Sequence, residues 1–205
     1  NGIYVVGGKT LNSVKRSDFN VTGNNIGILV GDVSQATITD ISDNVRFDVT
    51  ATNANDSSDH TGTGIYMYNG DVTVGKNVVM TGDNNDIFIT IRNRDYNNKI
   101  NLDGGNGTDN IRLEATGANN VGINIQNGDS AATTGKTLQI LSPTSKGWNI
   151  NFVGDNNTGI NNTGIKNNYF ADTLTIENKS SLPGSLTDSG VMTITGKNSI
   201  GYANL

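Results

Sequence analysis

The stretch Phe19-Asn-Val-Thr-Gly23-Asn-Asn-Ile-Gly27-Ile28 sets out a short grammar: two alternating apolar residues, Thr-Gly, an Asn-rich turn and a Gly-Ile restart. The phrase returns as Phe47-Asp-Val49-Thr-Ala51, Val78-Val-Met80-Thr-Gly82, Leu113-Glu-Ala115-Thr-Gly117, Ile150-Asn-Phe152-Val-Gly154 and Met192-Thr-Ile194-Thr-Gly196. The later restarts stand at Gly64-Ile65, Asp86-Ile87, Gly122-Ile123, Gly159-Ile160 and Gly201-Tyr202. In the second copy the restart is delayed by the polar run Asn53 to Thr63, which reads as a loop inserted at a turn. The Gly-equivalents lie 28, 31, 35, 37 and 42 residues apart. A loose period of that size, built from strands, signals stacked repeats.

Outward from the phrase, the chain alternates by twos. Ala36-Thr-Ile38-Thr, Val72-Thr-Val74, Ile100-Asn-Leu102, Ile111-Arg-Leu113, Leu138-Gln-Ile140 and Leu174-Thr-Ile176 each show the pattern of a strand with one buried face. Ile87, Ile89 and Ile91 are expected on one side of their strand, with Phe88 and Thr90 on the other. Asn69-Gly70 fits a hairpin turn locally, but the period favours a corner between successive strands. No segment reads as an extended amphipathic helix. The expected fold is all-β: a right-handed parallel β-helix, a solenoid of about six coils of 28–42 residues. Residues 1–205 would form one β-helical segment carrying an inserted loop at 53–63.

Composition agrees with narrow coils. Of 205 residues, 33 are Asn and 26 Gly, the two types that best tolerate left-handed backbone at tight corners. Hydrophobic content is 34% and mean hydropathy −0.37, enough for a core one side-chain layer wide. A net charge of −5 without any basic cluster argues against nucleic acid and anionic membrane surfaces as partners. Without cysteine there is neither a disulfide framework nor a Cys-based zinc site. No apolar run reaches the roughly 18 residues of a membrane helix, so direct membrane insertion of this segment is not expected. The chain opens without Met inside a strand and stops just after a restart, so it reads as a piece of a longer protein.

Several residues invite a chemical reading. Gly104-Gly105-Asn-Gly107-Thr-Asp109-Asn-Ile111-Arg112 fits the calcium-binding nonapeptide, in which glycines let carbonyls approach a hard cation and Asp adds charge. A single copy reads first as a glycine-rich corner, and calcium is the secondary expectation. His60, the only histidine, lies in the inserted loop beside Asp56 and Asp59 and reads as an exposed loop residue. Trp148, the only tryptophan, alternates with Ile150 and Phe152 and is expected on the buried face. Tyr66 and Tyr68 share the opposite parity to Ile65 and Met67, which places them outside; with Tyr96 they are candidate contacts. Glu114 and Glu177 are the only glutamates, and most aspartates stand at corners. No catalytic, cofactor-binding or metal-ligating residue is assigned, and no enzyme is expected. An open pocket holding two or more carboxylates within about 10 Å would favour the alternative, a carbohydrate-active β-helix enzyme.

Gly64-Ile-Tyr-Met-Tyr-Asn-Gly-Asp-Val-Thr-Val-Gly-Lys-Asn77 and Thr195-Gly-Lys-Asn-Ser-Ile-Gly-Tyr202 resemble passenger-domain repeats of bacterial type V autotransporter adhesins, with a fusobacterial flavour. The resemblance covers nearly the whole chain. It implies a secreted virulence factor displayed at the bacterial cell surface, anchored by a C-terminal outer-membrane barrel absent from this fragment. It implies attachment to host cells, other bacteria or glycans, through a cell-surface protein or a glycan. It transfers no binding residues and implies no cofactor. A non-binding structural spacer is the second alternative.

Overall fold

A computed structural model describes residues 2–50, 62–93, 98–104, 111–127, 137–142, 148–163, 173–178 and 191–204. All the regular structure among them is β. The first repeat contributes β1 (Ile3–Val5), β2 (Thr10–Leu11) and β3 (Val14–Thr22); the second, β4 (Ile26–Val30) and the long β5 (Ala36–Thr50). Then come β6 (Thr63–Met67), β7 (Gly70–Gly75) and β8 (Val78–Gly82), followed by β9 (Ile87–Asn93), β10 (Asn98–Asp103) and β11 (Ile111–Thr116). The last repeats hold β12 (Val121–Asn127), β13 (Thr137–Ser142) and β14 (Trp148–Val153), then β15 (Thr158–Thr163), β16 (Thr173–Asn178) and β17 (Val191–Thr195), with β18 (Ile200–Asn204) last.

Every described strand pairing is parallel, and each joins a strand to its counterpart one repeat away. One sheet has seven strands, ordered β1-β4-β6-β9-β12-β15-β18. The other has eleven, and β5 divides it into two runs: its first half pairs with β2 and β7, its second with β3 and β8. Asn69-Gly70 links β6 in one sheet to β7 in the other, a corner rather than a hairpin. Thr63, the last residue of the expected inserted loop, already pairs with Ile26.

Parallel register turns the alternation into columns. Ile3, Ile28, Ile65, Ile89, Ile123, Ile160 and Tyr202 follow one another across the seven-stranded sheet. Phe19, Phe47, Met80, Leu113, Ile150 and Met192 do so across the second run of the larger sheet. The rings of Phe19 and Phe47 stack at 4.7 Å. One apolar cluster draws on both sheets and includes Trp148, 7% exposed and buried as its parity requires.

The third copy corrects the sequence frame. Phe47 pairs with Met80, not Val78, and Leu113 pairs with Met80 in turn, so this repeat sits two residues out of the alignment drawn on Thr-Gly. Its restart moves likewise: Ile89, not Ile87, joins the isoleucine column. A slip of two keeps every side chain on its original face, so alternation alone cannot detect it. The slip also sets Phe88 in a column of glycines, without itself changing its face. Expected on the outer side, it is fully buried, occupying the place that Gly27, Gly64 and Gly122 hold in other repeats, and its ring lies 5.6 Å from that of Phe152. Gly82 makes room for it: a methyl there would meet the Phe88 ring at 2.9 Å.

Corners explain the asparagine. Asn85, Asn119, Asn156 and Asn198 hold φ of 62°, 62°, 58° and 54°, the left-handed region that Asn enters at low cost. Beside them runs a buried ladder. The Asn120 backbone N–H donates to Asn157 Oδ1 at 2.8 Å, Asp86 N–H to Asn120 Oδ1 at 3.0 Å, and Asn157 N–H to Ser199 Oγ at 3.2 Å. Each side chain thereby satisfies the backbone of its neighbouring repeat, as buried polar groups require.

Candidate functional site: a charged corner cleft

The bend of β5 builds a polar concavity. Asp43 and Asn44 turn the strand with φ of 57° and 69°, Arg16 turns β3 above it at 50°, and Asn77 turns the chain below at 58°. Asp43 N–H donates to the Lys76 carbonyl at 3.1 Å and Asn44 N–H to the Asn77 carbonyl at 3.2 Å, so the corners nest repeat on repeat. The Asn77 amide also donates to the Asn44 side chain. A cleft of about 380 Å³ opens here, lined by Lys15, Asp40, Ser42, Asp43, Thr73, Gly75, Lys76 and Asp103. That volume falls at the lower end of ligand sites.

Its charges are paired. Lys15 Nζ lies 3.1 Å from Asp40 Oδ2 and 3.1 Å from Asp43 Oδ2, while Lys76 Nζ approaches Asp43 Oδ1 at 3.7 Å. Ser42 Oγ donates to Asp40 Oδ2 at 2.9 Å. The hydrogen bond from Lys15, with the charges of Lys15, Lys76 and Arg16, holds the Asp43 carboxyl below its ordinary value. Hydrogen bonds to Asp40 and Asp43 raise Lys15 in return. Both groups therefore keep their charge through the neutral range.

Two carboxylates sharing one ammonium at 3.1 Å are at most about 6 Å apart, which meets the spacing set for the enzyme alternative. Asp43 does not suit the acid's part in it. A glycosidase acid needs a carboxyl raised toward neutrality, and Asp43 moves the other way. The cleft holds hydrogen-bonding groups and charges at fixed positions.

The residues singled out from the sequence do not converge on this cleft. Tyr66 was expected outside; it is 2% exposed, because parity assigns a residue to a face without saying whether that face is covered. Tyr68 is half-buried, with its ring under Arg92 at 5.2 Å, and Tyr66 and Tyr68 stack at 6.3 Å. Glu114 pairs with Arg112 at 3.7 Å, away from the cleft. His60, Asp56, Asp59 and Tyr96 lie outside the described residues, as do positions 105–110 of the calcium-like turn and the side chain of Glu177. Among the described residues no group of three or more His, Cys, Asp or Glu is placed to hold a metal ion.

Sequence reasoning missed Lys15, Asp40 and Asp43 because no local motif joins them. The usable signal was the register: once Lys15 is known to pair with Ser42, its contact with the following aspartate follows. No family model, curated protein or solved structure matches this chain.

Proposed function

We propose that the chain is a right-handed parallel β-helix of about six coils serving as a segment of a surface-displayed bacterial adhesin that contacts host cells, other bacteria or glycans. The observation that carries this reading is the uninterrupted parallel pairing of each strand with its counterpart one repeat away, in two sheets and without an antiparallel pair among the described strands. Such pairing lets a chain lengthen repeat by repeat while presenting corners and insertions along its side. Right-handedness is the expected sense, since parallel crossovers take it almost without exception. The resemblance to passenger repeats supports the surface location. The corner cleft and the insertion at 53–63 are the candidate contact features, and a cleft of fixed charges suits recognition better than proton transfer.

The test is binding of the purified chain to arrays of glycans and to intact cells. Retention that drops when residues 53–63 are deleted, or when Lys15→Met and Lys76→Met empty the cleft of cations, supports the adhesive reading. No binding to any surface would leave the spacer reading in its place.

The proximity of Asp40 and Asp43 favours a second reading, a carbohydrate-active enzyme. New reducing ends released from a polysaccharide panel, and lost in Asp40→Asn, would establish it over the adhesin.

A further inference from the structure

Among the described strand pairings register breaks twice, and both breaks border the corner cleft. Each time β5 carries the extra residue: Ile38 to Ile41 faces Val72 to Val74 of β7, and Ser42 to Val45 faces Lys15 to Ser17 of β3. Such bulges re-aim side chains. Ile38 and Ile41 both stay fully buried, so the first bulge turns Thr39 and Asp40 outward together. The second comes with Arg16, Asp43 and Asn44 in the left-handed region, which a long side chain such as Arg16 rarely adopts. Backbone of this kind persists only where its surroundings hold it, and it gathers at ligand clamps. β5, β7 and β10, which bear the floor of the cleft, are each paired along both sides, so that floor lies on the face of the sheet and not at its outer edge.

One missing side chain keeps the space open. A methyl on Gly75 would stand 3.0 Å from Ser42 Cβ and 3.1 Å from Asp40 Oδ1, and Gly75 is the register partner of Asp103. The gap over Gly75 thus lies between Asp40 and Ser42 on one side and Asp103 on the other. Its lining sorts the ligands. Two lysines stand against three aspartates, Ser42 and Thr73 add hydroxyls, and no apolar side chain takes part, so an apolar group finds nothing to pack on. An acidic group would add its charge to a surplus of carboxylates. A small cation would contend with Lys15, whose ammonium already holds the point shared by Asp40 and Asp43. A hydroxyl suits both kinds of group, because it donates to a carboxylate and accepts from an ammonium or a serine.

We infer that the corner cleft takes one unit of a neutral saccharide, seated over Gly75 with neighbouring hydroxyls donating to the carboxylates of Asp40 and Asp103 and accepting from Lys76. The inference rests on the adhesive reading and narrows its glycan to an uncharged one. The groups are within reach: the Asp40 side chain is 33% exposed, and that of Lys76, 61% exposed and 3.7 Å from Asp43, stands at the rim. With no aromatic ring to stack on, affinity comes from hydrogen bonds exchanged for those of water, so a millimolar dissociation constant is expected. Firm attachment then requires many such contacts made together on a multivalent surface.

The test is amide NMR of the whole chain titrated with the methyl glycosides of glucose, galactose and mannose to about 50 mM, well above a millimolar dissociation constant. The amides of Ser42, Thr73, Gly75 and Lys76 are expected to shift and saturate with at least one of them, and glucuronic acid and glucosamine should act more weakly. Gly75→Val, which fills the gap, and Asp103→Ala, which removes one wall, should each weaken the best ligand at least about tenfold. Glu114→Gln, on β11 away from the cleft, should leave binding unchanged. Circular dichroism would confirm that each variant folds. Unmoved cleft amides, a preference for the acid or the amine, or binding indifferent to both Gly75→Val and Asp103→Ala would overturn the inference. Retention of the chain on cells or glycan arrays alongside such a result would leave the adhesive reading standing without it; loss of retention as well would remove both.

Discussion

A methyl group on Gly27 would stand 2.5 Å from the Gly64 carbonyl oxygen and 3.1 Å from the Phe47 ring, both fixed by packing. Gly27→Ala is therefore expected to destabilise the fold by about 1–3 kcal/mol, as overpacking does, read as a lower thermal midpoint with unchanged far-ultraviolet dichroism. Ionisable residues give a second expectation. Hydrogen bonds from Tyr4, Lys15 and Thr81 hold the carboxyls of Asp32, Asp43 and Asp48, respectively, below the ordinary 3.8. A carboxyl depressed on folding contributes stability above its unfolded value and loses that contribution as pH falls through the lower folded value. The thermal midpoint should thus hold steady from about pH 5 to 8 and decline below about pH 4, less steeply in Asp43→Asn. Because these groups are exposed, the decline should be small and should shrink further in high salt.

The strands and their corners carry most of the specification. Alternation located the strands, and Asn marked the corners for a physical reason visible in the φ values of Asn119 and Asn156. What alternation could not fix was register within a face. Gly82 resembled the turn glycine of its neighbours, yet lies inside β8 opposite Ala115, where its missing side chain admits Phe88. The pattern also gave no warning that Tyr66 is covered, or that Lys15 and Asp43, 28 residues apart, share an ion pair. The buried ladder provides a test at this scale. Asn120→Ala removes the acceptor for Asp86 N–H and the donor to the Asp83 carbonyl, so a loss of about 1–3 kcal/mol is expected in chemical denaturation. Asn119→Gly, which keeps that ladder and the left-handed φ of 62° but loses the bond to Asn85, should cost less than Asn120→Ala.

At the scale of the whole molecule, pairing one repeat away joins surface residues that no sequence window contains together. The corner cleft draws Lys15 from β3, Asp40 and Asp43 from β5, Lys76 from the turn after β7 and Asp103 from β10. Any contact made there reads several repeats at once. Columns and cleft alike therefore depend on register more than on any side chain. The chain has no cysteine, so disulfide trapping can measure register directly. Thr81 pairs with Glu114, whereas the frame drawn on Thr-Gly would place it beside Thr116. Under mild oxidation Thr81→Cys with Glu114→Cys should form the bond, since neighbouring strands bring paired Cα atoms to about 5 Å, while Thr81→Cys with Thr116→Cys should stay reduced. Efficient crosslinking of the second pair and none of the first would contradict this register, and crosslinking of neither pair would contradict the stack of repeats on which the functional proposal stands.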